Sequence, residues 1–221
     1  MTNDLHAAPA GRHTEVTMRR TRWRSTLALA ALAAGGCSDS SGPAEVVKPP
    51  EELVILRLAA TSPPIWNPEV TFWAYADRDR EAKIWFQDTE GNAGEEYLRL
   101  RVSAGSLLTY PDGAPFGPQD SVAITIRVVD PALLLFEFEP AGLRFNPAEP
   151  AQLEVEYAEA DDDLDDDGDV DAEDDALESE VYVWRQRDIG DPFERLFTLR
   201  FEDLDELEAE IPGFSRFAIA Y

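Results

Sequence analysis

Apolar and polar positions alternate with a period of two along most of the chain beyond residue 52. In 70–76, "VTFWAYA", Phe72, Ala74 and Ala76 fall on one side and Trp73 and Tyr75 on the other, while 96–102, "EYLRLRV", sets Leu98, Leu100 and Val102 against Tyr97, Arg99 and Arg101. That is the period of a strand, whose successive side chains point to opposite faces. Further short runs rich in β-branched and aromatic residues occupy 53–59, 82–87, 122–129, 133–139, 153–157, 181–187, 196–201 and 214–221, bounded by Gly, Pro, Asn or Asp. Short runs at such even spacing predict an all-β sandwich or barrel, and the fold class expected here is an antiparallel β-sandwich. No segment sustains a helical period. The local exception follows Asp171, where "AEDDALESE" predicts a helical turn or two with Asp171 as N-cap, so a short acidic loop and helical turn interrupt the strands.

The same pattern suggests an organisation. Residues 37–52 are polar, contain Pro and lack periodicity, which reads as a flexible tether. Residues 53–104 read as an N-terminal β meander and 105–221 as a second β segment. If 70–76, 82–87 and 96–102 are neighbours in that meander, Trp73, Tyr75, Trp85 and Tyr97 gather with Arg99 and Arg101 on one face, opposite the aliphatic core. Two readings stand for such a face: it packs on another sheet or loop, or it is a ligand face for a glycan or peptide.

Composition narrows the function classes. The chain has 221 residues, 44% apolar and 10% aromatic, enough to build a core, and a formal net charge of -26. Two acids and five arginines precede Cys37, so the remainder carries 43 acids against 14 bases. That surface repels phosphate backbones and anionic headgroups, which excludes nucleic acid as a partner. At the N-terminus a basic stretch from Met18, a Leu/Ala run over 27–34 and small residues before Cys37 have the order of a secretory signal peptide spanning 1–36. Translation is expected to start at Met18, because residues 1–17 are mixed polar. The apolar run is too short to span a bilayer, which takes about 20 residues. "AGGC" followed by "SDSSGP" resembles the lipobox of bacterial lipoproteins, and the resemblance implies that Cys37 is lipidated and anchors an extracytoplasmic protein to the cell envelope, at the outer membrane. A lone free thiol in an oxidising compartment would otherwise be a liability.

Candidate chemistry is restricted by inventory. Both histidines, His6 and His13, precede Cys37, and Cys37 is the single cysteine. The processed chain thus offers no Ser/His/Asp or Cys/His arrangement and no usual zinc ligand set, and no Gly-rich phosphate loop is present. A non-enzymatic role is expected, with a carboxylate pair for glycoside hydrolysis the remaining catalytic option.

The acid run is the exception to a bland surface. Thirteen of the twenty residues in 161–180 are acidic, which by repulsion alone favours a solvated spacer. The register argues otherwise. With Asp163 at position 1, "DLDDDGDVDAED" places Asp165 and Asp167 at 3 and 5, Gly168 at 6, Asp169 at 7 and Asp174 at 12. This is the D-x-D-x-D-G order of a calcium loop, in which alternating carboxylates and the position-7 carbonyl converge on one Ca2+ and the glycine permits the turn. Asp174 and the aliphatic Val170 at position 8 resemble the dockerin type of loop. A strand rather than a helix is predicted before it, so a full helix-loop-helix is not expected.

A second resemblance covers about 105–221. "PAGLRF" with Phe138, Pro147, Pro150, Tyr157, Trp184 and Phe214-Ser215-Arg216 resembles the β-sandwich domain shared by ankyrins, netrin receptors and zonula occludens proteins, in a divergent bacterial form. The resemblance implies a non-enzymatic interaction or scaffolding domain without catalytic residues. The expected protein is lipid-anchored and calcium-binding, with a structural or interaction role and another envelope protein as partner. The alternative is a glycan-binding or carbohydrate-active protein that uses the Trp73/Trp85 face.

Overall fold

Alternating strands are stable only where each apolar side meets another, and the computed structural model, which describes residues 45–221, meets that condition with two antiparallel sheets sharing one core. The larger sheet has the order β1 (Val47–Lys48), β11 (Phe193–Arg195), β10 (Tyr182–Gln186), β14 (Arg216–Ala220), β7 (Leu135–Glu139), β6 (Ser121–Val128), β2 (Glu69–Tyr75). The smaller has the order β12 (Thr198–Phe201), β13 (Glu206–Ile211), β9 (Ala151–Glu156), β4 (Ala93–Val102), β3 (Arg80–Gln87). A ribbon of β5 (Leu107–Thr109) and β8 (Arg144–Phe145), one α-helix, α1 (Ala172–Glu178), and two single 3-10 turns, Pro50–Glu52 and Glu202–Leu204, complete the elements among the described residues. The all-β antiparallel sandwich predicted from the alternation is what forms. Among the described residues no helix is long and apolar enough to cross a membrane.

The core lies between the inner faces. Ala74, Ile124, Ile126, Phe136, Phe138, Val183, Phe217 and Ile219 come from the larger sheet, and Ala82, Ile84, Phe86, Leu98, Leu100, Leu153, Val155, Leu207 and Ala209 from the smaller, all buried. A smaller cluster covers the outer side of the larger sheet, where Leu53 packs with Trp184, Phe193, Leu135 and Ala218. The Trp184 indole donates to the Ala220 carbonyl at 2.8 Å, which leaves no buried indole N–H unmatched.

Three expectations about organisation are corrected. First, 53–104 is not a meander. Strand β2 pairs with β6 in the larger sheet, Phe72 opposite Ile124 and Val70 opposite Ile126, whereas β3 and β4 belong to the smaller sheet. Pairing with β6 gives the apolar side of β2 an aliphatic neighbour on the core face, and β3 then meets it across the core instead of beside it. Since β4 also pairs with β9, residues 53–104 and 105–221 interleave in both sheets and form one body. Second, the described part of the 37–52 tether is tied to the larger sheet: Val47–Lys48 pair with β11, Val46 packs on the outer cluster, and the Lys48 ammonium sits 5.4 Å from the Trp184 ring. The signal segment, Met18 and Cys37 lie outside the described residues. Third, 53–59 is extended but not a ladder strand; it threads between Ile219–Tyr221 and Ala132–Leu134 by alternating bonds such as Leu56 N–H to the Ile219 carbonyl at 2.9 Å.

A β-bulge decides which face Tyr97 occupies. Ile84 stands opposite Leu98 but Trp85 stands opposite Glu96, so Tyr97 is an extra residue in β4, and both Tyr97 and Leu98 turn into the core. Its ring packs 4.8 Å from Phe86 and 5.5 Å from Phe136, and burial raises its hydroxyl well above the ordinary range. Tyr97→Ala is therefore expected to cost about 3–5 kcal/mol in urea unfolding, the range for emptying a buried aromatic site. A loss within about 0.5 kcal/mol, as for a surface position, would contradict the bulge.

Candidate metal centre and the charged sheet face

Local chemistry folds the acid run before any ion is considered. An Asp carboxylate reaches backbone N–H groups about two residues on, and a run of them makes consecutive Asx turns. Asp165 accepts from Asp167 N at 3.1 Å, Asp167 from Asp169 N at 2.9 Å and Asp171 from Glu173 N at 2.8 Å. Asp163 accepts from Asp167 N at 3.1 Å and from Gly168 N at 3.0 Å. Gly168 takes φ +95°, the left-handed turn that its place in the register requires, and Asp166 also adopts φ +65°, which Asp tolerates better than most residues. The loop is thus held in defined turns, although most of its residues are exposed. It runs from β9 directly into α1, with Asp171 as the predicted N-cap, and Asp174 closes a capping box with it.

Anchors at the loop's base place it against the sandwich. Leu164 packs on the main core, and its carbonyl accepts a hydrogen bond from the Tyr221 hydroxyl. The Arg57 guanidinium pairs with Asp166 at 2.8 Å and lowers that carboxyl's pKa.

The predicted ligands divide into two groups. Carboxylate oxygens of Asp163, Asp165 and Asp174 come within 4.8 Å of one another. Asp167 is outside that group; its Oδ1 accepts from the Asp169 amide, and Asp169 is exposed on the same turn. Asp174 is buried and accepts from Leu164 N at 2.7 Å, Asp165 N at 3.3 Å and Asp171 N at 2.9 Å. These donors, Asp171 foremost, hold its carboxyl below the usual range. A carboxylate has about four lone-pair sites, so Asp174 keeps one for a cation and serves it through a single oxygen, while Asp163 and Asp165 keep more. Burial, with the neighbouring Asp167, Asp174 and Asp163 charges, raises the Asp165 carboxyl against the opposing Asp167 N–H. Convergent, mutually repelling carboxylates with free lone pairs make a hard-oxygen cage that suits a divalent cation of the calcium class. Asp163, Asp165 and Asp174 are the residues that could hold such an ion; Asp167 and Asp169, the other predicted ligands, lie outside the group.

The composite aromatic face does not form. Trp73 is on the larger sheet and Trp85 on the smaller, and Tyr97 is in the core, because the sheet assignment of β2 and the bulge in β4 are both set by distant partners. Tyr75 lies beneath two guanidinium groups, Arg78 at 4.6 Å and Arg80 at 5.2 Å. Trp73 is exposed, on the same side of β2 as Tyr75.

The outer face of the smaller sheet carries charge instead, with Arg99 where the alternation puts it and with acids, Glu96 and Glu154, that alternation alone did not single out. The bulge brings Glu96 outward, where it pairs with Lys83 at 2.7 Å, and Arg99 reaches Glu154 at 2.6 Å. Next to this network Glu156 stands directly opposite Glu206, a like-charge cross-strand pair. Burial, then Glu96, Glu206 and Glu95, pushes the Glu156 carboxyl up to about 7, and burial likewise raises Glu206.

Comparison with known protein families, with curated proteins and with solved structures gives no match for this chain.

A carboxyl with a raised folded-state pKa favours the native state while it is protonated there, and that advantage disappears as ionisation proceeds. For Glu156 the native state is unpenalised below its ordinary 4.5, loses stability as pH rises towards about 7, and carries the full penalty above that. Glu156→Gln should accordingly raise the melting temperature at pH 8 and leave it nearly unchanged at pH 4. A variant that destabilises equally at both pH values would contradict the like-charge pair as the cause.

Proposed function

We propose that this chain is a lipid-anchored, extracytoplasmic β-sandwich protein with a structural or protein-interaction role, and that its 161–178 loop binds calcium. The observation that carries the calcium reading is the convergence of Asp163, Asp165 and Asp174 within 4.8 Å, in the D-x-D-x-D-G register around a left-handed Gly168. Kinship with the sandwich of ankyrins, netrin receptors and zonula occludens proteins is part of the proposal. It is supported by the burial of Phe138, Leu143, Phe145 and Trp184, which carry that resemblance. The anchor rests on the sequence around Cys37, and the non-catalytic role on a processed chain that has neither histidine nor a free thiol.

An isolated extracytoplasmic loop of this type binds with a dissociation constant of about 0.1–1 mM. Linkage at millimolar calcium then stabilises the fold by about 0.4–1.4 kcal/mol. The melting temperature should rise with calcium and less with magnesium, whose strict octahedral demand fits this loop poorly. Asp165→Ala should abolish the response, since Asp165 gives the loop a single hydrogen bond and keeps lone pairs for the ion. Asp161→Ala, outside the register, should leave it intact. Equal responses to both ions and to matched ionic strength would reduce the run to screened charge. For the anchor, Cys37→Ala should move the protein from the detergent to the aqueous phase of a phase split; partition of the wild type into the aqueous phase would end the lipoprotein reading.

A further inference from the structure

The edge strand β12 exposes what sheet edges ordinarily conceal. It has β13 as its single neighbour, and edges of this kind are normally blunted by charge, Pro or a covering loop. Phe197, Leu199 and Phe201 recur with period two across it, all exposed, with Phe197 at 80%, and Leu204 is exposed in the turn that follows. The inward set of the same strand, Thr198 and Arg200, faces Val181 and Val183: Val183 N donates to the Thr198 hydroxyl at 3.1 Å, and Arg200 donates to the Val181 carbonyl at 2.7 Å. The one cation of the strand is therefore turned away from the apolar row.

The charged residues that stand opposite the row, and those of the turn that follows it, are acidic. Glu208 stands opposite Leu199 and Glu206 opposite Phe201, and Glu202, Asp203 and Asp205 form the next turn. Glu206 lies in turn beside Glu156, and Arg99 is the one cation whose charge acts on both, so this margin is predominantly acidic. A second copy would bring the same acidic margin against it, and anionic lipid would be repelled by it.

We propose that β12 is a docking edge for a cationic extended segment of another protein, in which Lys or Arg alternates with β-branched residues. The segment adds to β12 as a further antiparallel or parallel strand, its backbone pairing with the free edge. Its basic stems lie over Leu199 and Phe201, and their charged heads reach Glu206 and Glu208, as long cationic side chains commonly cover apolar surface. This rests on the interaction role above and gives that role a partner chemistry, but it is independent of the calcium loop.

The test is binding of a short synthetic peptide alternating Lys and Val to the purified chain, read by fluorescence anisotropy, with a Glu/Val peptide as control. The Lys/Val peptide should saturate and the control should not. Leu199→Ser/Phe201→Ser, at outward positions that leave the core intact, should weaken binding about tenfold or more, and Glu206→Gln/Glu208→Gln should do likewise. Bound peptide should slow hydrogen exchange at the 198–201 amides. Unchanged affinity of the Leu199→Ser/Phe201→Ser variant would overturn the proposal in favour of plain attraction to a polyanion. Self-association of the peptide-free wild type that is lost in the same variant would overturn it in favour of a second copy. Calcium-dependent melting of the same samples separates the two sites: lost peptide binding with an intact calcium response concerns β12 alone, and the reverse concerns the loop alone.

Discussion

Repulsion among carboxylates is the constraint on which this structure depends. With 43 acids against 14 bases beyond Cys37, few acids can have a cation partner, and the rest need water or an N–H donor. A two-sheet sandwich satisfies this economically, because alternation sends every second residue of a strand outward. Strand β13 is the clearest case: Leu207, Ala209 and Ile211 are buried while Glu206, Glu208 and Glu210 face out. The scarce cations go where acids crowd most, as when Arg99 reaches Glu154 and Arg127 and Arg216 both engage Glu137. That double pairing keeps the Glu137 carboxyl below its ordinary range.

Where no cation is at hand, backbone donors take over. The 161–175 run would be an open spacer if its carboxylates had only water, but consecutive Asx turns and the Asp171–Asp174 capping box tie it into a defined loop. Like charge is still concentrated in two places: the Asp163, Asp165, Asp174 cluster and the Glu156–Glu206 margin beside β12. The proposed calcium ion would answer the one and the proposed cationic segment the other. Both functional proposals thus derive from the same unbalanced charge.

What was legible in the sequence is what local physics decides. The strand period gave the sandwich, and the Asp171 cap and Gly168 turn stand where the residue types require them. What escaped depends on distant partners. Strand β13 went unread because Glu and Ala are weak strand formers, and its identity comes from being held between β9 and β12. Tyr97 alternates correctly with Arg99, yet one extra residue in β4 reverses its face. The run 196–201 reads as a single ordinary strand, whereas the chain leaves the larger sheet after Arg195 and enters the smaller at Thr198, and no local pattern reports that its new position is an edge. The convergence of Asp174 with Asp163 and Asp165 was visible in the register, but the three backbone donors that occupy Asp174 were not.

The most direct measurement is a crystal structure of the protein grown in millimolar calcium, with anomalous data collected at a long wavelength. A single anomalous peak bonded to oxygens of Asp163, Asp165 and Asp174, at the roughly 2.3–2.6 Å of calcium coordination, is the predicted result. A well-ordered loop with no peak among those three carboxylates would contradict it.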